Sequence, residues 1–169
     1  MNMHRVYVGI GSNIEQEKHI QLSAQYLRNA FGDNCGLQLS PVYKTRAVGF
    51  DGDDFYNLVA CFDTDKSAIE VEKTLKQIEH ENGRQRNQEK FSARTLDIDL
   101  LLYDQEIIQA DGISVPRDEI EKYAFVLSPL ADLAPELVHP QTGKSMAEMW
   151  HVMQADIDKN SLQKIDFNW

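Results

Sequence analysis

The chain has 169 residues, 42% hydrophobic and 26% charged, the make-up of an ordinary globular protein in which residues 1–169 form one domain with a sizeable core. Its 17 Lys and Arg stand against 27 Asp and Glu, a net charge of −10. That balance argues against nonspecific nucleic-acid binding, which rests on phosphate neutralisation, and leaves any polyanion site to a local basic cluster. Met1 to Arg5 run straight into strand-like sequence with no signal peptide, no apolar run is long enough to cross a bilayer, and Cys35 and Cys61 lack metal spacing. A cytoplasmic chain with reduced cysteines and no membrane partner is expected.

Arg5 to Gly11 is β-branched and apolar, a strand ending in glycine. Glu15 to Phe31 is helical, with Ile20, Leu22, Ala24, Leu27, Ala30 and Phe31 as its apolar positions. Cys35 to Lys44 is a second strand interrupted by Pro41, Thr45 to Asp54 a glycine-containing loop, and Phe55 to Asp63 a third strand. Ser67 to Asn82 carries the clearest helix signals: Ser67 as cap, Glu70 at the capping-box position and Gly83 as terminator, with Ile69, Leu75 and Ile78 on its apolar face. Arg84 to Thr95 is a charged loop, and Leu96 to Tyr103 a strongly apolar strand that Gln105 to Ile108 is expected to pair with as a hairpin through Asp104. Short helical pieces follow up to Trp150, and Gln154 to Trp169 is weakly patterned. The order β-α-β-β-α-β predicts an α+β fold with a ferredoxin-like core: an antiparallel sheet with helices on both faces, the third layer coming from the C-terminal third.

The sharpest chemical feature is Leu96-Asp97-Ile98-Asp99. Alternation along a strand puts Asp97 and Asp99 on one face, about 7 Å apart, and Leu96, Ile98 and Leu100 on the other. A half-exposed strand with a polar outer face explains a lone D-x-D equally well. Here Leu100-Leu101-Leu102 continues apolar on both faces, which points to a central strand. Two carboxylates there need compensating cations, which magnesium held by a carboxylate pair and substrate phosphates supplies.

Directly upstream, Arg84, Arg86, Lys90 and Arg94 are offset only by Glu89. Alone this is equally a solvated basic loop. Beside a metal-binding carboxylate pair it has the parts of a phosphoryl-transfer site. Gly11-Ser12-Asn13 lacks the Gly-Lys-Ser/Thr that would complete a P-loop. Phe55, Phe91 and Phe125 each flank a polar segment, and Asn57 shares the strand face of Phe55. Each phenylalanine by itself is explained by core packing; together they can sandwich a flat heterocycle whose edge Asn57 reads.

Lys90-Phe-Ser-Ala-Arg-Thr-Leu-Asp-Ile-Asp-Leu-Leu closely resembles the hallmark of 6-hydroxymethyl-7,8-dihydropterin pyrophosphokinases. Ile10 to Asn13, Ser40 to Gly49, Phe55 to Asn57, Glu79 with Gly83 to Arg86, Val115-Pro116, Phe125 to Leu130 and His139-Pro140 fall in register with the same family. The resemblance implies transfer of pyrophosphate from Mg-ATP, the co-substrate, to a hydroxymethyl-pterin in folate biosynthesis. Asp97 and Asp99 would hold two Mg ions. Arg84, Arg86, Lys90, Arg94, Ile98, Arg117 and Asp118 would serve ATP, with Arg84 and Arg94 catalytic alongside the two aspartates. Thr45, Arg46, Val48, Phe55, Asn57, Phe91 and Phe125 would hold the pterin. Its partners would be these small molecules, with no nucleic acid and no membrane, acting on a monomer. Arg117 and Tyr123 stand where the family usually has a histidine and an arginine, and Phe91 where it has a tryptophan. The alternatives are a non-catalytic pterin- or nucleotide-binding module and two-metal transfer to another flat alcohol.

Overall fold

A computed structural model of the chain describes residues 2–45, 54–83, 95–158 and 161–169. The strand β1 (His4–Ser12) is antiparallel to β4 (Phe55–Thr64) on one side and to β5 (Asp97–Tyr103) on the other. β2 (Gln38–Leu39) and β3 (Val42–Thr45) both pair with β4, and β8 (Leu162–Ile165) pairs with β3. The strand order is β5-β1-β4-β3-β8, so the first four strands have the expected split βαβ order and β8 extends one edge. Ser40-Pro41 breaks the second strand as the sequence predicts: proline has no N–H for the ladder, and Ser40 Oγ accepts the N–H of Val59 at 2.9 Å across the gap.

Each face of the sheet is covered. Val6, Val8, Ile10, Leu58, Ala60, Phe62, Ile98 and Leu100 bury against Ile20 and Leu27 of α1 (Gln16–Phe31) and Val71, Leu75 and Ile78 of α2 (Ala68–Glu81). Tyr7, Val59, Cys61, Leu101 and Leu102 bury against Ile120 of α3 (Glu119–Lys122), Leu127, Leu130 and Ala131 of α4 (Ala124–Leu133) and Met146 of α5 (Met146–Met153). The three layers are those expected. Ser67 and Glu70 form the capping box that starts α2, and Gly83 takes φ +87° just past its C-cap, Asn82. On α2, however, Val71 is buried and Ile69 is exposed, because the buried stripe runs through 68, 71, 75, 78 and 79.

Two further expectations are corrected. Residues Gln105 to Ile108 do not pair with β5; β6 (Ile108–Ala110) pairs with β7 (Ile113–Val115) across Asp111-Gly112. Both turn residues have positive φ, 58° and 79°, the geometry that Asp-Gly favours in a two-residue hairpin. And β5 is not central but ends the strand order. It reads apolar on both faces because helices cover both. A register shift between Tyr7 and Val8 also turns Leu101 and Leu102 to the same side. Two of its outer backbone groups are met by other elements: Glu79 Oε2 accepts the N–H of Ile98 at 2.8 Å, and the N–H of Arg117 donates to the carbonyl of Leu101 at 3.0 Å. Among the described residues no helix is long and apolar enough to cross a membrane.

Candidate active site

The site begins as a row across the sheet. Gly11 of β1 pairs with Asp97 of β5 on one side and with Asn57 of β4 on the other, and Asn57 pairs with Tyr43 of β3. Directly paired residues share a face, so Asp97, Gly11, Asn57 and Tyr43 all point toward the α4 side. One step along, Gly9 lies between Asp99 and Val59. Two glycines thus keep β1 free of side chains between the carboxylates and the amide. A Cβ on Gly11 would meet Asn57 Oδ1 at 2.7 Å.

Asp97 and Asp99 are partly buried, and the structure adds a carboxylate to them. Oxygens of Glu79, Asp97 and Asp99 all lie within 4.8 Å of one another. Glu79 projects from α2, is 3% exposed, and is fixed by the Ile98 N–H and by Lys76 Nζ at 3.4 Å. The sequence resemblance includes Glu79 but implies no role for it. Its signal was an acidic side chain on the helix's buried stripe, where charge is retained only when it is partnered. Three hard oxygen donors this close are suited to a divalent cation such as magnesium.

Arg117 reaches the same cluster from the loop after β7. Its Nη2 is 3.7 Å from Asp99 Oδ1, and its Nε donates to Glu119 Oε2. Burial works to lower its pKa, but Asp99 and Glu119 outweigh burial and raise it, so the guanidinium is firmly charged. Burial also raises the carboxyl of Glu119, with Arg117 pulling it back. Asp118 is turned to solvent, paired with Lys122 Nζ at 2.9 Å, a hydrogen bond that lowers its pKa. The side chain of Ile98 is buried on the opposite face, which leaves only its main chain beside the cluster.

Across the sheet, Asn57 Nδ2 donates to Thr45 Oγ1 at 3.1 Å, with both residues buried. Phe55 pairs with Thr45, two residues along β4 from Asn57, and therefore shares its face. Phe125 sits in the first turn of α4, which packs on β4, and stacks on Tyr123 at 5.0 Å. Thr45, Phe55 and Asn57 are thus neighbours on one face of the sheet, with Phe125 on the helix that packs on β4. Arg46 and Val48 lie outside the described residues, as do Arg84, Arg86, Lys90, Phe91 and Arg94. The ends flanking 84–94 do converge near the cluster. Ser12 Oγ donates to the carbonyl of Thr95, and a Cβ on Gly83 would be 3.7 Å from Thr95 Oγ1.

Comparison with known proteins places the chain in a family. A 2-amino-4-hydroxy-6-hydroxymethyldihydropteridine pyrophosphokinase of Pseudomonas aeruginosa is 34% identical over 148 residues, covering 87% of this chain and 90% of that protein. One of the same name from Haemophilus influenzae is 33% identical over 144 residues, covering 83% and 88%. Among solved structures, an HPPK-DHPS in complex with substrates superposes with a TM-score of 0.73 at 11% identity. That match covers 97% of this chain and 47% of the other, so the chain spans about half the length of that structure and the likeness speaks for the fold. The sequence model of 7,8-dihydro-6-hydroxymethylpterin-pyrophosphokinase (HPPK) matches residues 7–135. With that match and a third of the aligned residues identical across most of two curated relatives, the chain belongs to the 7,8-dihydro-6-hydroxymethylpterin-pyrophosphokinase family.

Proposed function

We propose that the chain transfers the pyrophosphate of ATP to the hydroxymethyl group of 6-hydroxymethyl-7,8-dihydropterin, releasing AMP, in folate biosynthesis. The observation that carries this reading is the shared sheet face: an acidic cluster suited to metal and a buried Asn57–Thr45 pair suited to a heterocycle edge, separated by the bare backbone of Gly9 and Gly11. Pyrophosphate transfer needs these two chemistries side by side.

Asp97 and Asp99, with Glu79 behind them, would hold two magnesium ions. When bound, the metal would supply charge neutralisation for the ATP phosphates. Asn57 and Thr45, with the main chain through Val48 and with Arg46, hydrogen-bond the pterin edge. Phe55 and Phe125 stack on its ring, and Phe91 closes over it. Arg84, Arg86, Lys90 and Arg94 contact the phosphates, with Arg117, Asp118 and the Ile98 main chain completing the nucleotide side. The pterin hydroxyl attacks the β-phosphorus in line, so catalysis rests on alignment and charge neutralisation with no covalent enzyme intermediate. The protein works in the cytoplasm as a monomeric single domain. Purified protein, ATP, magnesium and the reduced hydroxymethyl-pterin should give AMP; binding of both substrates without AMP would instead support a non-catalytic module.

A further inference from the structure

The acidic cluster carries its own cation. The main chain of Arg117 is tied to β5 through the Leu101 carbonyl at 3.0 Å, two residues beyond Asp99. Its Nε is engaged by Glu119, and its Nη2 faces Asp99 Oδ1 at 3.7 Å. The side chains of Arg117, Asp99 and Glu119 are 31%, 24% and 19% exposed, so water screens this contact only in part. Guanidinium has five N–H donors in a rigid fork. With Nε committed to Glu119 and Nη2 turned to Asp99, the head cannot leave the cluster without giving up a partner.

We infer that Arg117 is a built-in counter-cation of Asp99 that competes with divalent metal in the free enzyme and turns to the phosphates when nucleotide arrives. This rests on the reading of Asp97 and Asp99 as metal ligands. A divalent ion entering alone meets a carboxylate already partly neutralised and is repelled by the charge beside it. A triphosphate entering with the metal brings oxygens to which the same guanidinium donates, so the repulsion is relieved. Metal and nucleotide therefore bind cooperatively, and by linkage each raises the affinity of the other by the same factor. Glu119 holds Arg117 in place and offsets part of its charge. The residue is specificity-determining: it disfavours free metal and favours metal accompanied by polyphosphate.

The test is calorimetric titration of the whole protein with Mn2+ as probe, with and without a non-hydrolysable ATP analogue. Arg117→Gln is expected to bind Mn2+ alone about three- to tenfold tighter, the scale of removing one unit charge a few ångströms away at a partly exposed site. The same variant should bind the analogue more weakly at saturating Mn2+, so that the coupling shrinks. Arg117→Lys keeps the charge and should stay near wild type for Mn2+, and Glu119→Gln should bind Mn2+ more weakly. Asp99→Asn should lose most of the binding. Unchanged or weaker Mn2+ affinity in Arg117→Gln, or tighter affinity in Glu119→Gln, would overturn the inference while leaving the metal site standing. Wild-type protein that bound no Mn2+ in either condition, or an Asp99→Asn variant that bound it like wild type, would remove the metal assignment and the inference together.

Discussion

Gly11 stands directly between Asp97 and Asn57 in the antiparallel register, and the space its missing side chain leaves is occupied by the Asn57 amide oxygen, 2.7 Å from where a Cβ would sit. The Asn57 amide and the Asp97 carboxylate are neighbours across a single bare residue. Gly11→Ala should therefore push the Asn57 amide away from Thr45. Overpacking of this kind costs about 1–3 kcal/mol. The expected result is pterin affinity lowered roughly tenfold or more with affinity for Mg-ATP little changed, measured by titrating each ligand alone. An equal loss for both ligands would contradict the division of the site.

Asn57→Ala tests the same edge from the other side. It removes a buried hydrogen-bond partner of Thr45 and, in the proposed complex, a partner of the pterin. The loss of such a partner costs about 1–3 kcal/mol. Phe125→Ala should weaken pterin binding as well, through lost stacking worth about 0.5–1.5 kcal/mol beyond burial. Weakened ATP binding with pterin affinity intact in Asn57→Ala would contradict the substrate assignment.

His139 makes stability pH-dependent. It is fully buried, its Nδ1 accepts the N–H groups of Gln141 and Thr142 at 3.1 and 3.2 Å, and its Nε2 has no partner in the described structure. Burial lowers its pKa below the ordinary 6.5. The neutral form is the one the fold holds, so its contribution is fully present above about pH 6.5. It is lost as pH falls from there through the lowered folded value, because the unfolded chain takes up the proton first. The slope from this one group is at most about 1.4 kcal/mol per pH unit. Urea midpoints between pH 7.5 and 5.5 should fall in wild type, and less steeply in His139→Gln. Equal slopes would rule His139 out as the cause.

The C-terminal strand supports the Tyr43 and Thr45 edge of the sheet. Leu162 pairs with Thr45 and Lys164 with Tyr43. The Tyr43 hydroxyl donates to Asp132 of α4, and Lys164 Nζ lies 3.5 Å from the same carboxylate. Burial, with Asp132 beside it, pushes the Tyr43 hydroxyl pKa up, so it remains a donor at any physiological pH. Tyr43→Phe should destabilise the fold by about 1–2 kcal/mol, the cost of leaving a hydrogen-bonding group without its partner, read from denaturant midpoints. A change near zero would mean that Lys164 alone satisfies Asp132.

Where the pattern is local, the sequence predicts the structure. The α2 capping box, the Pro41 break and the same-face placement of Asp97 and Asp99 each follow from spacing within a few residues. Long-range contacts were not legible. β8 is four residues set by pairing with β3 and by Ile165 packing on the core, and the side chain that satisfies the β5 edge comes from Glu79, on another element. β5 reads as central for the same reason: an apolar run reports burial of both faces and says nothing about which neighbour does the burying. Arg117 is legible as a departure from its family, but its engagement with Asp99 and Glu119 is visible only in three dimensions.

The most direct test of the central claim is AMP formation from ATP, magnesium and reduced hydroxymethyl-pterin by wild type and by Asp97→Asn and Asp99→Asn. Removing one of several clustered carboxylates need not destabilise the fold, so both variants should keep the wild-type circular dichroism spectrum and melt cooperatively. Wild type should release AMP only when the pterin is present, and both variants should lose essentially all turnover. A variant keeping more than about a tenth of the wild-type rate, a loss under ~1.4 kcal/mol, or a wild-type protein that binds both substrates yet forms no AMP, would contradict the account.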